Sequence, residues 1–228
     1  MNVTELFADA VAAPPEHARL DVAAFCIAAC AHPGLDIDAA TRPLDELAAS
    51  CPDATFDALR LHLFADQGFR GNADDYADPE NSFLDSVLAR RLGIPITLSV
   101  VMIEVGRRIG VDVRGVGMPG HFLVKDGASD ATWCDPFHRG AVLTVEGCQR
   151  LFARLHGDAR GFHPAYLAPT NPNAIVARML TNLEHGPLAA RPEQLEWMCA
   201  LHLTIPELAD ADRIRLETLQ RSARARWN

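Results

Sequence analysis

The sequence predicts an α+β protein: one buried central helix packed on a small antiparallel sheet, with a helical cap before this core and a helical tail after it. Three observations carry that prediction. Residues 96–109 are apolar through their first three turns and close on Arg107-Arg-Ile-Gly110, the pattern of a helix buried on all sides. Three short runs follow, 111–117, 121–125 and 131–135, separated by Pro119-Gly120 and by Asp126-Gly-Ala-Ser-Asp130, which is how a meander reads. Helical spacing of apolar residues dominates the chain before residue 65 and after residue 173.

Taken in order, Pro14-Pro-Glu is expected to open a helix running to about Ala31, which His32-Pro-Gly34 ends. Thr41-Arg-Pro opens a second, with Leu44, Leu47 and Ala48 on its apolar face, and Phe56, Leu59, Leu63 and Phe64 extend the helical spacing past Cys51-Pro52. Residues 68–79 are polar, acidic and glycine-bearing, so they read as an ordered loop. Residues 81–92 form an amphipathic helix with Phe83, Leu84, Val87 and Leu88 inward, Asn81 or Ser82 able to cap it, and Gly93 as its stop. Ile94-Pro95 then starts the central helix. Its first turn matters most, because unpaired N–H groups and a positive dipole end favour a thiolate or a developing negative charge there. The tail reads as helices near 173–183, 192–203 and 210–224. The expected division is 1–67, a helical N-terminal part; 68–168, the core; and 169–228, the tail.

Totals bound the function. With 228 residues, 49% of them hydrophobic and 22% charged, the chain can bury a sizeable core. A formal net charge of −9 argues against nucleic acid as a partner, since phosphate neutralisation needs clustered Lys and Arg. No run of 18 apolar residues marks a membrane span and the first ten residues lack the pattern of a signal peptide, so a soluble, cytoplasmic protein is expected. Cys26, Cys30, Cys51, Cys134, Cys148 and Cys199 contain no CxxC pair and are expected to be free thiols. His138, His156 and His163 share no compact ligand spacing with His121, so neither a metal nor any other cofactor is expected.

One constellation remains. Gly117-Met-Pro-Gly-His-Phe-Leu-Val124 and Trp133-Cys-Asp-Pro-Phe-His138 put His121 and Asp135 on neighbouring strands, two thirds of a nucleophilic triad. Helix, strand with His, strand with Asp resembles the transglutaminase-like branch of the papain-like hydrolases. Gly68-Phe-Arg-Gly-Asn72, Asn81-Ser-Phe-Leu84, Arg91-Leu-Gly-Ile-Pro-Ile-Thr-Leu-Ser-Val100, the His121 segment and Asp135-Pro-Phe137 are similar, in this order, to signature segments of the bacterial SirB-type proteins of that branch. The resemblance runs from about residue 20 to about 185. It implies a papain-like core followed by a tetratricopeptide-like helical pair, introduced here by Ile175-Val-Ala-Arg-Met-Leu-Thr-Asn-Leu183; interruption by Gly186-Pro187 and Pro206 makes a degenerate version the expectation.

The resemblance also implies roles. His121 is the base, Asp135 orients it, and the nucleophile falls in the first turn after Gly93-Ile-Pro95, where this chain has Ile96, Thr97, Leu98 and Ser99 and no cysteine. Thr97 stands at the degenerate nucleophile position, with Ser99 as the alternative. Arg70, Asn72 and Asn81 are expected to bind near the same cleft, in a polar stretch that also holds Asp74 and Asp75. Cys134 is expected to point away from Asp135, because strand side chains alternate. An alcohol is far harder to ionise than a thiol. The favoured expectation is therefore a non-catalytic module that binds a peptide, protein or small ligand through the cleft or the helical tail; the alternative is a hydrolase or acyltransferase using Thr97 or Ser99 with His121 and Asp135.

Overall fold

In the computed structural model, which describes residues 2–227, a three-layer core of helix, sheet and helix is wrapped by further helices at both ends of the chain. The N-terminal helices are α1 (Val3–Ala12), α2 (Leu20–Ala31), α3 (Ile37–Ala40), α4 (Arg42–Ala49) and α5 (Phe56–Leu61), the last running into a wide π-helical turn over His62–Asp66. Then come β1 (Arg70–Gly71), α6 (Leu84–Arg90), β2 (Leu92–Gly93) and the central α7 (Pro95–Ile109). Strands β3 (Val113–Val116), β4 (Leu123–Asp126), β5 (Trp133–Asp135) and β6 (Ala141–Leu143) form one antiparallel meander in chain order. Helices α8 (Val145–His156), α9 (Pro172–Glu184), α10 (Pro192–Thr204) and α11 (Asp210–Trp227) complete the chain.

Alternation along the strands builds the layers. Val113, Val124 and Cys134 face α7 and join an apolar core that extends from Phe7 on α1 to Ile205 beyond α10. Val116, Leu123 and Trp133 face the other way, onto Cys148, Leu151 and Phe152 of α8. The sheet is covered on both faces. Helix α7 begins with Pro95 at its first position, where a missing N–H costs nothing, and ends on Gly110 at φ 78°, the left-handed closure glycine favours.

Several elements differ from expectation for identifiable reasons. The Pro14-Pro15 signal makes only a 3-10 turn over Pro15–His17, and the helix proper starts at Leu20, whose N–H is capped at 3.0 Å by the buried carboxylate of Glu104 on α7. That cap comes from 84 positions away. Helix α6 begins at Leu84, three residues later than expected: Pro79–Ser82 is a 3-10 turn, the residue before the helix is Phe83, and neither Asn81 nor Ser82 caps it. The strands are shorter than their sequence runs, leaving His121 in the turn before β4, its N–H bonded to Met118 O at 3.0 Å. Strand β6 and helix α8 were not anticipated at all.

The polar loop of residues 68–79 is stitched to the core from both sides. β1 pairs in parallel with β2, Arg70 opposite Leu92 and Gly71 opposite Gly93. Gly71 N–H also donates to Phe137 O at 2.9 Å, and a side chain at 71 would collide with the Phe137 ring. Glycine is needed there for close approach.

Candidate functional site

The site is assembled where the turn before β4, the end of β5 and the first turn of α7 meet. His121 Nε2 lies 2.9 Å from Asp135 Oδ1, and both side chains are almost wholly buried. Asp135 is held by more than one partner: its Oδ1 also accepts from the N–H groups of Phe137 (3.1 Å) and His138 (3.3 Å), and its Oδ2 lies 2.7 Å from His138 Nδ1. Burial pushes the Asp135 carboxyl up, but the hydrogen bonds and charge of His121 and then His138 outweigh it and leave the group below the usual carboxylate range. The carboxylate thus fixes Nε2 of His121 as the protonated nitrogen. Nδ1, the other ring nitrogen, has no hydrogen-bond partner among the described residues, and His121 lines a recess of about 140 Å³.

Pro95 and Ile96 supply the α7 side of that recess; Gly120, Phe122, Tyr76, Arg178 and Asn182 complete it. The two hydroxyls expected there are occupied elsewhere. Thr97 Oγ1 is fully buried and donates to Asn81 O at 2.7 Å and Ile94 O at 3.1 Å, under Gly93, where a Cβ would come within 2.8 Å of that oxygen. Ser99 Oγ, also fully buried, donates to Pro95 O at 2.8 Å. Neither makes a hydrogen bond to His121. On the α7 side the recess is lined by Pro95 and Ile96, neither of which carries a nucleophile, and Ile96 is 2% exposed.

Asn72 and Asn81 do not face the recess either. Asn72 Nδ2 donates to Asn81 Oδ1 at 3.0 Å, Asn72 Oδ1 accepts from Asp75 N–H at 3.2 Å, and Asn81 Nδ2 donates to Asp75 O at 2.7 Å. These buried amides close the loop on itself, a local bonding pattern common for Asn in loops. Arg70 is exposed and lines a separate recess of about 420 Å³ with Asp74, Phe137, His138 and Arg139. Phe137 stands against both His121 and Tyr76, at ring-centroid distances of 6.2 and 5.7 Å.

Cys134 packs in the main core beside Val124, and burial drives its thiol well above the ordinary range. Burial likewise pushes Cys26, Cys148 and Cys199 up to about 12 and Cys30 to about 11. No cysteine lines the recess.

Two residues that sequence reasoning missed stand at the centre of the geometry. His138, whose spacing in the sequence suggests no role, shares the Asp135 carboxylate. With His121 and Asp135 it forms a set of three donors whose atoms all lie within 4.8 Å of one another. Two imidazole nitrogens and a carboxylate oxygen form a donor set that zinc or non-haem iron accepts. Here, however, the N···O separations of 2.9 and 2.7 Å are hydrogen-bond distances, shorter than the spacing of about 3.3 Å between ligands on a tetrahedral zinc with bonds near 2.0 Å. The set fits shared protons better than a shared ion. His156 and His163 lie apart from it, on Pro119 O and at the start of a 3-10 turn. Arg178, on α9, is the second missed residue; its Nη2 donates to Met118 O (3.1 Å) and His121 O (2.8 Å), holding the turn that carries His121.

Comparison with known proteins agrees with this architecture. The sequence profile of the transglutaminase-like superfamily matches residues 35–181. A UPF0162 protein of Xylella fastidiosa (strain Temecula1) is 42% identical over 130 residues, 55% of this chain and 46% of that protein. The UPF0162 protein of Pseudomonas aeruginosa is 34% identical over 169 residues, 71% of this chain and 62% of that one. F-box only protein 21 of Mus musculus is 35% identical over 136 residues, 56% of this chain and 21% of that protein. The chain thus spans about half the length, or less, of most of these relatives, and no solved structure matches it. With its profile match covering well over half of the residues and its helix-and-meander core, the chain belongs to the transglutaminase-like superfamily.

Proposed function

We propose that this chain is a non-catalytic transglutaminase-like module of the SirB type, whose cleft beside His121 binds a peptide or small ligand and whose helical tail offers a second surface to a protein partner. One observation carries the reading: Pro95 and Ile96 line the recess, while the hydroxyls of Thr97 and Ser99 donate to backbone carbonyls inside the core. A buried alcohol already donating its proton to a main-chain acceptor has no base to take that proton. Asp135, held by His121, His138 and two backbone N–H groups, then fixes the imidazole of His121 in place before any ligand arrives, which suits recognition. The SirB-type assignment rests on the five sequence segments and their order. A reducing compartment such as the cytoplasm suits six free thiols.

The test is turnover of an activated acyl compound, p-nitrophenyl acetate, near neutral pH. The reading expects no saturable rate, and identical background rates in Thr97→Val and Ser99→Ala. A saturable rate that disappears in either variant establishes the hydroxyl nucleophile and overturns the reading.

A further inference from the structure

Arg178 is a cation without an anion. The guanidinium lies against the recess, 5.4 Å from the Phe122 ring centroid, with two backbone carbonyls on Nη2 and no carboxylate paired to it among the described residues. Arg91 shares that isolation and is also held by burial below its ordinary pKa, but Arg178 is the one of the two that lines a recess. Burial lowers the pKa of Arg178, with Tyr76 opposing, and its hydrogen-bond partners are neutral carbonyls rather than an anion. Asn182, four residues on, lies on the same face of α9 and has no side-chain hydrogen bond within the described residues.

The recess does not end there. Tyr76 and Asn182 also line a neighbouring cavity of about 280 Å³ whose further walls include Ile94, Leu183, Pro187 and Leu188. A polar pocket holding Arg178 and the exposed Asn182 therefore adjoins a mostly apolar one, whose wall also carries Asp78, itself paired with Arg90. Arg178 Nη2 is committed to the two carbonyls, so Nη1 and Nε are the donors left for a charge-assisted bond to an anion.

From this juxtaposition we infer that the cleft is a receptor for a free carboxylate carried on an apolar body, the carboxylate on Arg178 and Asn182 and the apolar part in the cavity beside Leu183 and Leu188. This rests on the reading of the cleft as a binding site and names the chemistry of its ligand. His121, with Nε2 committed to Asp135, presents Nδ1 as an acceptor, which sets the carboxylate on the Arg178 side rather than against the imidazole. The carboxylate has two possible sources, a short aliphatic acid or the C-terminus of a peptide ending in an apolar residue.

Ligand-observed and protein-observed NMR on the full chain tests this. Hexanoate and hexanamide form one pair, N-acetyl-Ala-Leu and its C-terminal amide the other. The inference expects saturable shifts for at least one acid, with its amide binding about tenfold more weakly or worse; which acid binds more tightly identifies the source. Arg178→Gln, folded by circular dichroism, loses that preference. Because Arg178 also holds the His121 turn and its replacement could unfold it, Leu188→Trp is the second variant: by filling the cavity it weakens hexanoate but not acetate. Equal binding of acid and amide without turnover overturns the carboxylate preference and leaves the binding cleft standing, as does an unchanged preference in folded Arg178→Gln. Absence of any saturable shift overturns the inference itself. Consumption of either amide during the experiment instead refutes the non-catalytic reading.

Discussion

Asp135→Asn removes one charge and almost no volume, so its effect can be worked out from the contacts of a single side chain. Asn keeps an acceptor oxygen for His121 and for the N–H groups of Phe137 and His138, which share one carboxylate oxygen, but it presents an NH₂ group to His138 Nδ1 at 2.7 Å. That ring must change tautomer, and both imidazole contacts lose their charge assistance. Hydrogen bonds to charged groups are worth about 1.5–3 kcal/mol against about 1 for neutral ones, so the buried His121 contact and, to a smaller extent, the half-exposed His138 contact lose about 2 kcal/mol together. With a urea slope of about 3 kcal/mol per molar, the denaturation midpoint falls by roughly 0.7 M near pH 7. The acid limb gives the sign. Because Asp135 sits below its ordinary pKa when folded, its contribution is fully present above the unfolded value, about 4, and is lost as pH falls through the folded one. Urea titrations of both proteins at pH 7 and at successively lower pH measure the gap. A variant as stable as the parent at pH 7, or a gap that widens on acidification, refutes the assignment of Asp135 as the charged centre of a two-imidazole network.

Three other outcomes are expected. Iodoacetamide near neutral pH should label none of the six native cysteines faster than a free thiol, since five are raised by burial to about 11 or higher; rapid labelling of Cys134 that depends on His121 would contradict the site. Gly71→Ala should force Phe137 from its place and cost about 1–3 kcal/mol by overpacking, read as a lower thermal midpoint; an unchanged midpoint would show that the loop is not held by that contact. Glu184 receives His202 Nδ1 at 2.6 Å and Arg215 Nη1 at 3.0 Å, so Glu184→Gln should loosen α10 and α11 from α9 and raise hydrogen exchange in those helices before the core. Uniform exchange throughout the chain would contradict this.

Much of the fold was legible because it is written in local periodicity. The buried helix after Ile94-Pro95, the meander and the three tail helices all follow from apolar spacing and turn residues. Helix α8 was legible too and went unread: Thr144 caps it, and Cys148, Leu151, Phe152 and Leu155 fall at helical spacing. The start of α2 was not legible, because its cap is Glu104 on another helix. Within the site, turn signals on either side of two strands brought out His121 and Asp135. The choice among Ile96, Thr97 and Ser99 depends on the rotation of α7, which the acceptor carbonyls of Asn81 and Pro95 reveal and a sequence cannot. Asn72 and Asn81 illustrate the same limit, since loop amides that bond each other read in sequence like loop amides that bind a ligand. Arg178 carries no local signal, and its isolation from every carboxylate is a property of the folded chain alone.

Ile96 and His121 line the same recess, whereas Thr97 and Ser99 do not, and cysteine scanning of the first turn of α7 tests that placement. Ile96→Cys, Thr97→Cys and Ser99→Cys are each alkylated at pH 6, and each is repeated with His121→Ala. A thiol at 96 gains the helix terminus and an imidazole together, which brings such groups to about 7.5 or below from about 8.5. The thiolate fraction at pH 6 then rises about tenfold or more. Fast labelling is expected at 96 alone, abolished by His121→Ala, with thiols at 97 and 99 slow because the side chains there are buried in the core. Fast, His121-dependent labelling at 97 or 99 would contradict it, as would a thiol at 96 that reacts no faster than an ordinary one.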